Sequence, residues 1–544
     1  MSGGHCAHVG DGSESDLTKD GIATQGIARV TNAILGFVLL DSDAPTNFAD
    51  LRLDRAGELA GALGMDRATP PDQLVQFAWQ SWGEDAFARI DGDYALVLRD
   101  ARGVVLVRDP LGQRPLFFAI DDDSVAVAST PRAVNRLLAR RDAPDPVRLR
   151  AYLLGQSPND GSSFFAGVQQ VEPGEIVRIA PDGTIRRAWH WRPSLRINQH
   201  HRIDYPAELG TLLKRAVRER SPDGGVATHL SAGLDSGSVT AMAATLGHPV
   251  DAFTAIPALP VAAWMPDRVA DESTLAALVA ARFPDIRHHV VRPDRHAFDL
   301  LDLAWEAFEQ PLPNPANAGW VDAINRAARD LGHEALLIGQ FGNFGFSAAG
   351  AMPGGWRARV ARWRQSPGEV SPFLAGPPRR APASHPPGPV EAIRRVDPGS
   401  YVHGTARSWG IELRDPTADR RLIEFCLTVP HAEFSRDGIR RSLARRAVAG
   451  LLPPAVLSAT VRGYQAADWL PQLIARAGQA RDIIEDFAAD SLAAQLLDIV
   501  ALRRAADALP SAANAPETER LYRGHFLRAL AVGDFIARAN RPSL

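Results

Sequence analysis

The sequence predicts a two-domain chain of mixed class. An α+β domain built on antiparallel strands covers residues 1–195, and an α/β domain with a doubly wound parallel sheet and a helical tail covers 196–544. Three observations carry this. Short apolar runs separated by turn residues crowd the first third, strands alternate with helices from about residue 206, and the last third has helical apolar spacing. A length of 544 residues also suits two or three domains at roughly 150 residues each.

In the first domain, GDYALVLRD (92–100), GVVLVRD (103–109), PLFFAI (115–120) and VAVAST (125–130) read as strands, separated by DARG, DPLGQR and DDDS. GEIVRIAP and IRRAWHW (174–191) form a further hairpin around Asp182-Gly183. From residue 206 the pattern changes. PAELGTLLKRAVRER (206–220) is a helix, GVATHL (225–230) a strand and VTAMAATLG (239–247) a helix. DAFTAI (251–256) is then a strand, TLAALVAARF (274–283) a helix, and HHVV (288–291) and HEALLIG (333–339) strands. The Pro/Gly-rich stretch 364–395 reads as a surface loop.

Composition excludes several classes. With 45% hydrophobic and 23% charged residues and a net charge of −3, the chain is globular, with no electrostatic case for nucleic acid. No apolar run approaches the ~18–20 residues that span a bilayer, and the first residues lack a signal h-region. Two cysteines, Cys6 and Cys426, fit a reducing cytoplasm. Lys19 and Lys214 are the only lysines among 60 basic residues, so positive charge here means arginine.

The informative stretch is Thr228-His229-Leu230-Ser231-Ala232-Gly233-Leu234-Asp235-Ser236-Gly237-Ser238. A strand ending in small residues just before a helix gathers unpaired N–H groups and the positive end of the helix dipole at one spot, which suits phosphate. Leu230, Ser231, Ala232, Gly233, Asp235 and Ser236 are the candidate cofactor-binding residues. Asp235 is the candidate ligand for a divalent ion bridging phosphates. A capped strand-to-helix turn is the structural alternative, and the Walker pattern is not matched.

Ser-Ala-Gly-Leu-Asp-Ser resembles the pyrophosphate loop of ATP pyrophosphatases, which cleave ATP between its α and β phosphates to make an acyl-adenylate. The wider pattern is similar to the asparagine synthetase family over nearly the whole chain. Gly92–Leu98, Val107–Phe118 and Val127–Thr130 resemble its amidotransferase domain. Asp271-Glu272-Ser273, Gly410–Pro416 and Leu422–Pro430 resemble its synthetase domain. The resemblance implies an N-terminal Ntn-hydrolase-like αββα sandwich, a C-terminal ATP-pyrophosphatase domain, and ATP with Mg²⁺ as cofactors.

The departures are as telling. Glutamine-using members begin, after Met removal, with a nucleophilic cysteine. Here Ser2 follows Met1 and Cys6 lies further in, so the N-terminal domain is expected to keep the glutaminase fold without its chemistry. Cleavage before Cys6 is the alternative. Where the family carries Ser-Gly-Glu-Gly-Ala-Asp-Glu, this chain has Ile338-Gly339-Gln340-Phe341-Gly342-Asn343-Phe344. Gly339 joins the cofactor-binding set. Gln340 and Asn343 are carried over as catalytic-site residues that orient substrate but take up no proton. The general base is then sought in Glu412, against the alternative that it pairs with Arg414. The family's pyrophosphate-holding lysine has its expected counterpart in Arg462, whose planar fork suits phosphate oxygens, with a plain surface arginine as the alternative.

Together, these departures and the segment Arg462–Trp469 resemble lasso-peptide cyclases. That implies adenylation of an Asp or Glu side chain in a linear precursor peptide, followed by attack of the peptide's own α-amine. The partners implied are the precursor peptide, a leader peptidase and a leader-binding protein. An ammonia-dependent asparagine synthetase, a β-lactam-type synthetase and an inactive ATP-binding scaffold are the alternatives. His288 and His289 point to opposite faces of a strand and read as structural. Asp271 and Glu272 read as helix-opening acids, with an ATP or metal role a minor alternative. Trp305, Trp320 and Trp469 line a pocket or fill the core. Asn314, Asn317 and Trp320 fall where the family's substrate loop would sit.

Overall fold

The computed structural model describes residues 26–29, 36–39, 46–121, 124–156, 160–194, 203–261, 265, 267–347, 371–376, 389–512 and 515–541. Met1, Ser2, Cys6 and the expected domain boundary near residue 195 lie outside them.

The N-terminal domain has two sheets. The first contains β1 (Gly26–Arg29), β3 (Thr46–Asp54), β4 (Asp91–Asp100), β5 (Gly103–Arg108), β9 (Glu175–Ile179) and β10 (Ile185–Trp189), in the order β1-β3-β4-β5-β9-β10. The second contains β2 (Gly36–Leu39), β6 (Phe117–Asp121), β7 (Ser124–Ala128) and β8 (Gln169–Gln170), in the order β2-β7-β6-β8. Period-2 alternation sorts the side chains into layers. Ala95, Val97, Leu106, Phe118 and Val127 fill the space between the sheets. Tyr94, Leu96, Leu98, Val105 and Val107 face the helices Ala56–Ala62 and Pro71–Trp82. Phe117, Ala119, Ala126 and Ala128 face the helices Pro131–Leu137 and Pro146–Leu153. The result is an αββα sandwich. β3 and the four helices were not read from the sequence individually, although β3 alternates clearly over Phe48–Asp54.

The C-terminal domain is built on a parallel sheet of β11 (Val226–His229), β12 (Val250–Ala255), β14 (Ile286–Val291), β15 (Ala335–Leu337) and β16 (Glu412–Arg414), in the order β14-β12-β11-β15-β16; β13 (Arg268–Val269) pairs outside it with Arg462–Gly463. Val226, Val250, Ala252 and Leu337 pack on one side with the helices Tyr205–Arg220 and Leu234–Ala244. Ala227, Phe253, Ala255 and Leu336 pack on the other with Pro315–Asp330. The sheet is therefore doubly wound. β16 was read only as part of a motif, because three residues at a sheet edge give no periodicity. His288 bonds Thr254 (2.8 Å) and His289 bonds Asp251 (2.6 Å), so both are structural.

Within 364–395, Ser371, Phe373 and Leu374 are buried and Pro389–Arg394 is helical. Apolar Phe373 and Leu374 join the C-terminal helical core. No helix among the described residues is long and apolar enough to cross a membrane.

Candidate functional site

Strand order reverses between β11 and β15, and in open parallel sheets ligands bind at the carboxyl ends of the strands beside such a reversal. The loop after β11 and the loop after β15 meet there. Small residues let the first fold back on itself. Ser231 Oγ and Ser236 Oγ lie 2.7 Å apart, the Ser231 N–H donates to Ser236 Oγ (3.1 Å), and the Gly233 N–H donates to Ser231 Oγ (3.1 Å). The helix Leu234–Ala244 follows at once, so its first-turn N–H groups have no partner inside the helix.

Asp235, in that first turn, is 8% exposed. Its Oδ2 accepts a hydrogen bond from Ser347 Oγ (3.1 Å), and its Oδ1 is buried without a partner. Burial raises the carboxyl to about 6, against the pull of the Arg441 guanidinium. The second loop closes on it. A Cβ at Gly342 would lie 2.5 Å from Asp235 Oδ1, so only glycine leaves room for this carboxylate. Gly339 presses similarly on the Asp235 backbone (3.0 Å). Buried Asp415 fixes the turn Gln340–Asn343 by accepting from the Phe341 N–H (2.7 Å). An unpartnered carboxylate oxygen beside a loop of small residues fits a divalent ion, which Asp235 would hold and which would neutralise phosphate charge.

These loops open onto a cavity of about 1850 Å³. It brings together Ser231, Ala232, Gly233, Asp235, Ser236, Gly339, Gln340, Asn343 and Arg462. Two expected residues are not brought in. Leu230 is fully buried; its N–H donates to Phe253 O (2.8 Å) and its carbonyl accepts from Thr254 Oγ1 (2.8 Å), so it anchors the loop to β12. Glu412 lies outside the cavity lining. It is bound to Arg114 of the N-terminal domain and to both Nε (2.8 Å) and Nη2 (2.6 Å) of Arg414. Burial alone would raise its pKa, but the two guanidiniums bring it to about 2. A carboxylate so firmly ionised and enclosed is not a proton acceptor for a ligand in this cavity, and the base assignment to Glu412 is corrected accordingly.

Several cavity residues were missed or misjudged. Glu272, read mainly as a helix-opening acid, is 3% exposed, and its Oε1 accepts the Ala232 N–H (3.1 Å) of the Ser231–Ser236 loop. Burial raises it to about 7. A Cβ at Gly463 would sit 2.0 Å from its carboxyl, which explains the glycine there. Arg268, Arg440, Arg441 and Arg445 also line this end. Arg440 and Arg441 follow an Asp-Gly turn, which was the one local signal available. Away from the loop the wall is apolar and aromatic, with Phe308, Leu312, Trp320, Tyr401, Trp409 and Tyr464. Trp305 and Trp469 instead fill the core. Asn314 and Asn317 line the cavity, and Asn317 is held by Gln465 (3.2 Å) and Arg523 (3.0 Å). Cys426 is fully enclosed, and burial pushes its thiol up.

Fold and site define a doubly wound α/β domain with a Ser/Gly-rich strand-to-helix loop at its switch point, joined to an αββα sandwich. The chain belongs to the asparagine synthase family, whose model matches residues 208–365 and 404–527, more than half of its length. A model described as a glutamine amidotransferase domain matches residues 65–190. Similar curated proteins are asparagine synthetase [glutamine-hydrolyzing] 1 of Bacillus subtilis (strain 168), 26% identical over 50% of this chain and 41% of its own, and asparagine synthetase [glutamine-hydrolyzing] 3 of the same organism, 29% identical over 33% and 30%. Amidase chry2 of Gibberella zeae is 24% identical over 49% and 41%. The chain thus spans less than half the length of these relatives.

Proposed function

We propose that this chain is an ATP-dependent, AMP-forming ligase that closes a macrolactam ring in a lasso-type precursor peptide. An Asp or Glu side-chain carboxylate of the peptide attacks the α-phosphorus of ATP and expels pyrophosphate. The peptide's α-amine then attacks the acyl-adenylate carbonyl, loses a proton, and AMP leaves as the amide forms. The loop Ser231–Ser236 and Arg462 hold the phosphates, Gln340 orients the peptide, and Mg²⁺ on Asp235 would supply charge neutralisation.

The observation that carries this reading is the cavity. At about 1850 Å³ it exceeds the roughly 300–1,000 Å³ of ordinary small-molecule pockets, and its far wall is aromatic. A cavity of this size has room for a peptide segment beside adenosine triphosphate, more than a single aspartate would need. The boundary with the N-terminal domain agrees. Buried Arg108 grips Asp397 at the cavity wall through both Nη atoms (2.9 and 2.8 Å), and Arg114 grips Glu412. In a glutaminase-fed ligase, ammonia released in the N-terminal domain would have to cross this boundary. An intramolecular amine needs no such route, and holding both ends of one peptide together contributes on the order of 7–11 kcal/mol.

For the proton, the lining carboxyls narrow to Glu272. Asp397 is held by Arg108, Glu519 by Arg523, Asp437 is at an exposed hairpin tip, and Asp235 is assigned to the metal. A carboxyl at about 7 suits a base working near neutrality. The wild-type rate should therefore rise with pH through about 7, and Glu272→Gln should lower it ~10²-fold and flatten that rise. An unchanged pH profile in the variant would remove Glu272 from the reaction.

The family relatives favour a second reading, an asparagine synthetase supplied with ammonia. One experiment separates them. Protein and Mg-ATP are mixed with the core peptide encoded beside the gene, or with aspartate and ammonia, and AMP release is read alongside peptide mass. AMP with loss of one water from the peptide is expected. AMP only with aspartate and ammonia would establish the second reading, and AMP from neither would leave an ATP-binding scaffold. A leader peptidase and a leader-binding protein are the partners this function would require.

A further inference from the structure

The end of the cavity around Asp235 carries more positive charge than the protein itself neutralises. Arg268, Arg440, Arg441, Arg445 and Arg462 all line it. Among the described residues, no carboxylate lies within the 4.0 Å ion-pair limit of Arg268, Arg440, Arg445 or Arg462. Arg441 is placed differently from the rest. Its Nη2 donates to Asn343 Oδ1 (3.4 Å), and its Nη1 lies 3.9 Å from Asp235 Oδ2. One guanidinium therefore sits where the oxygens of an amide and a carboxylate converge, a position that otherwise suits a metal ion.

The backbone is strained to put it there. β17 (Ser435–Arg436) and β18 (Ile439–Arg440) form a hairpin turning through Asp437 (φ 54°) and Gly438 (φ 76°). Arg441 follows with φ 59°, in the left-handed region that non-glycine residues rarely adopt. That conformation ends the hairpin and starts the helix Ser442–Ala447. Asn343 contributes no charge, so a dication at this position would meet one carboxylate, a neutral amide and a fixed cation.

We propose that Arg441 takes the place of a second metal ion, bridging Asn343 and Asp235, so that the site neutralises a nucleoside triphosphate with a single divalent ion and an arginine fork. This rests on the nucleotide-binding part of the function proposed above, and adds the division of labour between metal and protein. A planar guanidinium presents paired donors to phosphate oxygens, which a hydrated ion replaces only if carboxylates hold it in place.

The test counts bound metal without turnover. Mn²⁺ is titrated into the full chain with α,β-methylene-ATP, which cannot be cleaved between its α and β phosphates, and bound Mn²⁺ is read by electron paramagnetic resonance. One tight Mn²⁺ per bound nucleotide is expected, and two would overturn the proposal while leaving the ATP site standing. Arg441→Met should weaken nucleotide binding about tenfold or more, with the Mn²⁺ count unchanged. The double variant Arg441→Met, Asn343→Asp should take a second Mn²⁺. Affinity unchanged in Arg441→Met, with thermal melts matched, would overturn it as well. No nucleotide binding by the parent chain would overturn the ATP site and this proposal together.

Discussion

Asp235→Ala should lower AMP release about 10³-fold or more, a loss of ~4 kcal/mol in transition-state stabilisation, while leaving the fold intact. The size follows from the site. Asp235 is the lining carboxylate with an unpartnered buried oxygen, and Gly339 and Gly342 are shaped around it. The same burial gives the variant a second signature. The folded carboxyl sits at about 6, above the ordinary value of ~3.9. A raised acid contributes stability that is fully present below the unfolded pKa and is lost as pH rises through the folded one. Without added metal, the wild type should therefore lose on the order of 2–3 kcal/mol between pH 4 and 7 through this group. Asp235→Asn keeps the shape without the charge and should escape that loss. Thermal melts at pH 4 and 7, beside AMP assays, check both parts. Full activity in Asp235→Ala would end the assignment of the loop to ATP.

What was legible in the sequence is what is local in the chain. The strands of the sandwich announce themselves because alternate residues from Tyr94 to Leu98 enter different layers. The strand-to-helix loop carrying Asp235 was legible because strand, loop and helix are contiguous from Val226 to Ala244. What escaped depends on distant residues. Glu272 reaches the loop from 40 positions away, and Arg441 meets Asn343 across 98. Gly339 was placed by the family motif, but the contacts by which it and Gly342 shape Asp235, more than a hundred residues earlier, leave no local mark. Leu230 was grouped with the loop by adjacency, although the hydrogen bonds of β12 claim its backbone. Local periodicity reports elements, whereas a site at a switch point is assembled by the order of strands in the sheet.

Glu412 is the sharpest case of that limit, and its substitution has the second large expected effect. The sequence shows a carboxylate in a family motif; it does not show Arg114, 298 residues earlier, closing over it from the other domain. Glu412→Ala leaves buried Arg114 and half-buried Arg414 without their shared counterion. Arg114 keeps only Asp50 at 3.5 Å, among the described residues. Breaking such a pair costs about 3–5 kcal/mol. The pH dependence runs opposite to that of Asp235. The folded pKa, at about 2, is depressed below the ordinary ~4.3, so the contribution is present above that ordinary value and is lost as pH falls through about 2. The gap in melting temperature between wild type and Glu412→Gln should accordingly be wide at pH 7 and narrow progressively below pH 4. AMP formation per folded molecule at a permissive temperature should be unchanged. A rate loss in Glu412→Gln with an undiminished melt would return this residue to the reaction. If the melt falls instead, the N-terminal sandwich is held to the synthetase domain by ion pairs that also brace the wall of the cavity. An amidotransferase-type domain then stabilises the ligase whether or not it hydrolyses glutamine.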